Sequence, residues 1–140
     1  MLIGFNSAAG PGQPAGWPPA LPAALLATFF AYANFVLAGY FKDVAADRAT
    51  GYRTLPVVCG RGASAAVSDC YAGAAIAGGL IAMASGGVLG RALTNPVVLL
   101  LLILGVGASV LAQVRLHRVR RDADAHRAIS LVVHAYILLL

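Results

Sequence analysis

Four apolar segments alternate with short polar stretches along the chain. They cover about residues 20–40, 62–84, 95–113 and 127–140. A helix needs about 20 largely apolar residues to span the hydrocarbon core of a bilayer, and the first three segments approach that length. The fourth ends after "ILLL" with no polar flank, so we expect that helix to be truncated. The pattern predicts an all-α, multi-pass transmembrane helix bundle with about four helices in this chain.

The composition also favours a membrane protein. Hydrophobic residues make up 60% of the chain and charged residues 11%, whereas soluble domains carry roughly 25% charged residues. The mean hydropathy is +0.82. Residues 1–19 are rich in Gly and Pro, which predicts a loop, and they lack the basic start of a signal peptide.

The net charge of +5 and the pI near 9.8 would also suit a nucleic-acid-binding protein. However, the basic residues lie between apolar runs and not along one exposed face, as nucleic-acid binding requires. We therefore expect membrane lipid, and no nucleic acid, as a partner.

The basic residues predict how the chain is oriented in the cell membrane. Nine of the ten lie between the first and second helices or around the junction of the third and fourth helices. These nine are Lys42, Arg48, Arg53, Arg61, Arg115, Arg118, Arg120, Arg121 and Arg127. Only Arg91 lies between the second and third helices. The positive-inside rule makes the basic side cytoplasmic, so residues 41–61 are expected to form a cytoplasmic loop and both chain ends to face away.

Residues 41–61 contain a pair of carboxylates at helical spacing, Asp43 and Asp47. If the first helix continues past Tyr40, the two carboxylates lie one turn apart on a face that continues into the membrane. Two bare carboxylates about 6 Å apart repel by roughly 3 kcal/mol at an effective dielectric constant of 20. A divalent cation would remove that repulsion, and Mg²⁺ typically takes one or two carboxylates together with substrate phosphates.

Three cationic residues accompany the carboxylates and suit phosphate oxygens: Lys42, Arg48 and Arg53. Together they suggest a metal-bridged diphosphate at the membrane edge. The spacing alone leaves another interpretation open, in which a solvated loop anchors the orientation and each Asp caps a helix or pairs locally.

Two polar residues lie inside the apolar segments. Asn34 is expected to form a hydrogen bond to another helix, with a substrate contact as the alternative. Asp69 lies about two turns into the second helix, where a carboxylate costs a few kcal/mol unless it faces a polar cavity or partner. Asp69 and Tyr40 are therefore candidate pocket residues. Cys59 and Cys70 have no metal-ligand spacing and are expected to be free thiols.

The string "YFKDVAADRATGYRTLPVVCG" closely resembles the second aspartate-rich motif of the UbiA-type intramembrane prenyltransferases, KDxxxDRxxGxRTLPVxxG. The positions that match it are Lys42, Asp43, Asp47, Arg48, Gly51, Arg53, Thr54, Leu55, Pro56 and Gly60. The resemblance implies a bundle of about nine helices in a full family member, with Mg²⁺ and an isoprenyl diphosphate at the cytoplasmic helix ends. It also implies that the cation helps the diphosphate leave, and that the allylic carbocation alkylates an aromatic or lipid acceptor, such as a quinone precursor.

Two family elements have no counterpart in this sequence, namely the first aspartate-rich motif, NDxxDxxxD, and the YxxxK element. The four helical segments match the sixth to ninth helices of the family, so the resemblance implies a C-terminal half. We therefore expect the chain to need the missing N-terminal half and to be inactive alone.

Two other functions are alternatives to prenyl transfer. A small non-catalytic membrane protein could use the basic loop to bind lipid headgroups or a partner subunit. CDP-alcohol phosphotransferases also use intramembrane aspartates, but they require an Asp-Gly dipeptide, which does not occur here.

We predict that Cys59 lies on the cytoplasmic side, because it belongs to the loop that carries four cationic residues. In a Cys70→Ser background, which leaves Cys59 as the single cysteine, a membrane-impermeant maleimide should label inside-out vesicles and not intact cells. Labelling from the outer face of intact cells would show that the predicted topology is wrong.

Overall fold

The computed structural model describes Pro18 and residues 20–139 of the chain. The loop predicted for residues 1–19 lies outside the described residues, apart from Pro18. All regular secondary structure in the described part is helical, which confirms the predicted all-α fold. The elements are α1 (Ala20–Tyr40), α2 (Val44–Thr50), α3 (Leu55–Val58), α4 (Gly60–Ser85), α5 (Leu89–Thr94), α6 (Pro96–His117), a 3₁₀ turn (Asp122–Asp124) and α7 (Ala125–Leu139).

The four predicted segments correspond to α1, α4, α6 and α7. The first helix ends at Tyr40 and does not continue through the paired aspartates as one rod. Instead, residues 41–61, which were predicted to be a loop, contain the short helices α2 and α3. The break lies at Asp43, whose φ of −113° and ψ of 9° are outside the helical region, and Phe41 and Val44 on either side of it are both buried.

Local sequence signals define several helix ends. Asn95 caps α6, because its Oδ1 accepts hydrogen bonds from the backbone N–H groups of Val97 at 3.0 Å and Val98 at 3.3 Å. Pro96 follows at the first helical position, where its missing N–H has no consequence. Gly51 ends α2 in the left-handed region with φ of 79°, as a C-terminal glycine does.

Within the described residues, three helices are long and apolar enough to cross a membrane: α1 with 21 residues, α4 with 26 and α6 with 22. α7 has 15 residues. α1 packs mainly on α4, and α6 packs mainly on α7. Additional contacts between α1 and α7 and between α4 and α6 close these four helices into a ring.

One end of this ring is held together by an apolar cluster. Its buried members are Leu37, Phe41, Ala65, Leu116, Val119, Ala125 and Ala128, from α1, α4, α6, α7 and the turns that join them. Because the cluster includes Phe41, the start of the aspartate-rich stretch is fixed on the same packed end as the junction of α6 and α7. The two polar stretches that carry most of the basic residues are therefore neighbours in space.

Small residues allow the closest helix contact, between α1 and α4. A Cβ added at Gly78 would lie 3.2 Å from the backbone nitrogen and the Cβ of Ala27. Two other pairs have the small-xxx-small spacing that lets helix backbones approach closely, and one of them, Gly105 with Ser109, is buried. Gly73 and Ala77 are exposed in the described chain, so they are not the pair that brings these two helices together.

We predict that Gly78→Ala lowers the melting temperature of the protein in detergent relative to Gly79→Ala. Both substitutions gain up to about 1 kcal/mol of helix propensity, so that contribution cancels in the comparison. Only at Gly78 does the new methyl group press on backbone atoms of α1, which costs about 1–3 kcal/mol; a Cβ at Gly79 meets nothing within 4 Å. Equal melting temperatures of the two variants would show that this contact is not tight.

Candidate functional site

The two aspartates of the motif lie at the start of α2. Asp43 occupies the N-cap position and Asp47 lies in the first turn. The backbone N–H of Asp47 donates to the carbonyl of Asp43 at 2.7 Å, so the two residues are one helical turn apart as the spacing predicts. This geometry results from the short helix α2 and not from an extension of α1.

Asp47 is oriented by another residue of the same motif. The hydroxyl of Thr54 donates to Oδ2 of Asp47 at 2.9 Å. Gly51 makes this contact possible, because its left-handed conformation turns the chain back after α2. Among the described residues, Oδ1 of Asp47 receives no hydrogen bond, so it is available to a ligand.

The side chain of Asp43 has weaker contacts than that of Asp47. Although it occupies the N-cap position, its side chain makes no capping hydrogen bond. Its nearest charged neighbour is Lys42, whose Nζ lies 4.0 Å from Oδ2, and both side chains are about half exposed. A half-exposed ion pair at this distance contributes little to stability, so the Asp43 carboxylate is also available.

The three cations that are predicted to bind phosphate lie near these carboxylates in the sequence. Lys42 lies in the turn before α2, Arg48 in its last turn, and Arg53 follows Gly51. All three are exposed. Neither arginine forms an ion pair with an acid of the described chain, which leaves both guanidinium groups open to an anionic ligand.

Asp122 is a further part of this region that the motif did not indicate. Its Oδ2 accepts a hydrogen bond from the backbone N–H of Ala45 in α2 at 2.8 Å. Its Oδ1 forms a salt bridge with Nη2 of Arg61 in the first turn of α4. Sequence analysis could not find this contact, because Asp122 lies 77 residues from Ala45 and no local pattern connects them.

Of the two candidate pocket residues, Tyr40 adjoins the motif, since its carbonyl accepts from the backbone N–H of Asp43 at 3.3 Å, whereas Asp69 has a partner on another helix. Oδ2 of Asp69 lies 2.7 Å from Nε2 of His117, in a pair that joins α4 to α6. Both side chains are nearly half exposed. Tyr40 is the last residue of α1 and is 39% exposed.

A network of polar side chains connects α1, α4, α6 and α7. Asn34 donates from Nδ2 to the hydroxyl of Tyr136 at 2.8 Å, and the hydroxyl of Ser68 bonds to Oδ1 of Asn34. Asn34 and Ser68 are almost fully buried. The predicted cross-helix hydrogen bond of Asn34 is therefore confirmed.

The orientation of Gln113 follows from counting protons in this network. The Ser68 hydroxyl lies 2.9 Å from Oε1 of Gln113, but serine has only one proton to donate, and Asn34 already accepts it. Nε2 of Gln113 is buried and has no partner. With the Gln113 amide turned over, Nε2 donates to the Ser68 hydroxyl and the conflict over its single proton disappears, while Oε1 takes the buried position that has no partner.

The donor set of the motif fits a hard divalent cation. Carboxylate oxygens are the ligands that Mg²⁺ prefers, and Mg²⁺ sites commonly use one or two carboxylates with substrate phosphates. Within the described residues, no cluster of three or more His, Cys, Asp or Glu side chains could hold a metal ion. The site therefore offers a pair of carboxylates and not a complete protein cage. Cys59 and Cys70 are both free and exposed, as predicted.

A basic crevice of about 400 Å³ lies between the end of α6 and the start of α7. Its charged lining consists of three arginines and one acid: Arg115, Arg118, Arg127 and Asp124. These arginines make no ion pair with an acid of the described residues. The crevice adds a second concentration of positive charge at the end of the bundle that carries the motif.

Comparison with known proteins identifies one family. The model of the UbiA prenyltransferase family matches residues 1–138. No curated protein and no solved structure gives a significant match.

Proposed function

The chain belongs to the UbiA prenyltransferase family, and we propose that it forms one side of a Mg²⁺-dependent site for an isoprenyl diphosphate. The observation that carries this proposal is the state of the motif carboxylates. Asp43 and Asp47 lie one turn apart, and each keeps oxygen atoms without a hydrogen-bond donor in the described chain. These oxygens are therefore open to a cation that brings phosphate ligands with it, as Mg²⁺ does.

Each charged residue of the motif has a defined role in this proposal. Asp43 and Asp47 hold the cation, and Thr54 fixes the direction of the Asp47 carboxylate. Lys42, Arg48 and Arg53 bind the phosphate oxygens. Bound Mg²⁺ would supply positive charge that stabilises the departing diphosphate.

In the transfer, the allylic carbon exchanges its bond to the diphosphate for a bond to the acceptor. The bond between the allylic carbon and the diphosphate oxygen breaks, and its electron pair leaves with the diphosphate. The allylic carbon bonds to a nucleophilic carbon or oxygen of an aromatic or lipid acceptor in the membrane, which loses a proton. Lys42, Arg48 and Arg53 counter the charge that grows on the leaving group.

We further propose that an N-terminal half completes the site. One carboxylate pair fills few of the six octahedral positions of Mg²⁺, and the described chain provides no third ligand beside it. Large apolar side chains along α1 are also exposed, including Leu26, Phe29 and Tyr32. In a larger bundle, further helices would cover part of this face.

We predict that the chain expressed alone inserts into the membrane but transfers no prenyl group. Co-expression with a half that bears NDxxDxxxD and YxxxK should give Mg²⁺-dependent transfer, measured as incorporation of a radiolabelled prenyl diphosphate into membrane lipid extracts. Efficient transfer by the purified 140-residue chain would contradict the two-half site.

In the two-half enzyme, Asp43→Asn or Asp47→Asn should remove nearly all turnover, because each keeps the side-chain shape but removes a metal-binding charge. Asp124→Asn is the matched control: its Oδ2 accepts only from the backbone N–H of Arg121, which an amide oxygen can replace. Lys42→Ala, Arg48→Ala or Arg53→Ala should weaken use of the diphosphate by about 1.5–3 kcal/mol, the usual range for a charged hydrogen bond. Normal Mg²⁺-dependent rates in the two Asn variants would show the metal assignment to be wrong.

The basic crevice supports a second, non-catalytic candidate. Clusters of arginine at a cytoplasmic membrane edge attract the phosphates of anionic lipids, and the crevice places Arg115, Arg118 and Arg127 around one space. In this alternative, the chain binds lipid headgroups or a partner subunit without chemistry. The co-expression experiment separates the two candidates, since only the first gives a prenylated product.

A further inference from the structure

The N-terminus of α2 is capped in an unusual way. The first N–H groups of a helix lack partners within the helix, and an Asp at the N-cap normally accepts from the second or third of them. Asp43 occupies that position, and Ala45 is the second residue of the helix. However, the N–H of Ala45 donates to Asp122, at 2.8 Å, and not to Asp43.

Asp122 is well fixed for this contact. Its other oxygen is paired with Arg61, and the two side chains are only 25% and 28% exposed. Val119 and Ala125, on either side of Asp122 in the chain, are both buried in the apolar cluster that also includes Phe41. Asp122 is therefore carried by a rigid part of the fold, while Asp43 is half exposed.

We propose that Asp122 is a positioning residue for the metal-binding pair, a role that rests on the proposed function. By capping α2 from another part of the chain, Asp122 leaves both oxygens of Asp43 available to the cation. When Asp122 is removed, Asp43 is the carboxylate at the N-cap, the position from which a side chain normally reaches the N–H of the second helical residue. Asp43 then turns inward to cap the helix and is lost as a ligand.

Asp122 makes two contacts that substitutions can remove separately, its hydrogen bond to Ala45 and its salt bridge with Arg61. Asp122→Ala removes both. Asp122→Asn keeps an oxygen for the N–H of Ala45 but loses the charge that pairs with Arg61. Arg61→Gln also removes the salt bridge while the carboxylate of Asp122 remains. Asp124→Ala is the matched control, because it removes a carboxylate from the same 3₁₀ turn whose hydrogen bond goes to the backbone of Arg121 and not to α2.

The first measurement is amide hydrogen exchange of the full 140-residue chain in lipid nanodiscs without substrate. The measurement is made in an Asp43→Ala background, in which Asp43 cannot take over the cap. There, Asp122→Ala should speed exchange in the segment that contains Ala45, because its N–H loses the Asp122 carboxylate and has no replacement. Asp122→Asn and Asp124→Ala should resemble the Asp43→Ala parent. Unchanged exchange on adding Asp122→Ala would overturn the capping role, whatever the enzyme does.

The second measurement is the Mg²⁺ dependence of prenyl transfer by the two-half enzyme. Asp122→Ala should raise the Mg²⁺ concentration for half-maximal rate by about 10- to 100-fold, the usual effect of losing a group that orients a metal ligand, while the rate at saturating Mg²⁺ falls less. Asp122→Asn should restore most of the Mg²⁺ dependence. Asp124→Ala should match the wild type.

The outcomes distinguish this inference from the function on which it rests. A wild-type two-half enzyme without activity would remove the proposed function, and this inference with it. An active wild type whose Mg²⁺ dependence is unchanged by Asp122→Ala would remove this inference alone. A shift of equal size in Asp122→Ala, Asp122→Asn and Arg61→Gln would also overturn it, because the salt bridge and not the cap would then be responsible.

Discussion

The hydrocarbon of the bilayer imposes one constraint on which the rest of this structure depends: every backbone N–H and C=O inside it must find a partner within the protein. Helices meet this requirement segment by segment, and α1, α4 and α6 are long enough to do so across a membrane. The same constraint moves charged side chains to the helix ends. It explains why so few charges occur overall and why most of them share one end of the bundle.

Polar groups that remain inside the bundle must satisfy one another. Asn34, Ser68, Gln113 and Tyr136 come from four different helices and join them through a single hydrogen-bonded chain. Such a network specifies which helix faces meet, because a rotated helix would leave a polar group unpaired in an apolar setting. The small residues at Gly78 and Ala27 then allow the backbones to come close. Packing and polar contacts together stabilise the helix bundle that carries the motif.

Local physics made much of this predictable from sequence. The apolar segments gave the long helices, Asn34 was expected to bond across helices, and the charged string identified the candidate aspartates. The turn after Tyr40 was not predicted, because the buried positions Leu37, Phe41 and Val44 have a spacing that also fits one continuous helix. The partners of Asp69 and Asp122 were also missed, because both contacts join residues far apart in sequence. Tertiary contacts of single side chains leave no periodic pattern for sequence analysis to detect.

The contact between Asp122 and Ala45 also has a consequence for biosynthesis. It joins residues that are 77 positions apart, so the cap of α2 does not exist when α2 first leaves the ribosome. At a synthesis rate of about 5–20 residues per second, roughly 4–15 seconds pass before Asp122 has been made. Throughout that interval the motif is synthesised but unfinished, and its final shape depends on the correct insertion of α4 and α6. The order of translation therefore makes the candidate site one of the last parts of the chain to mature.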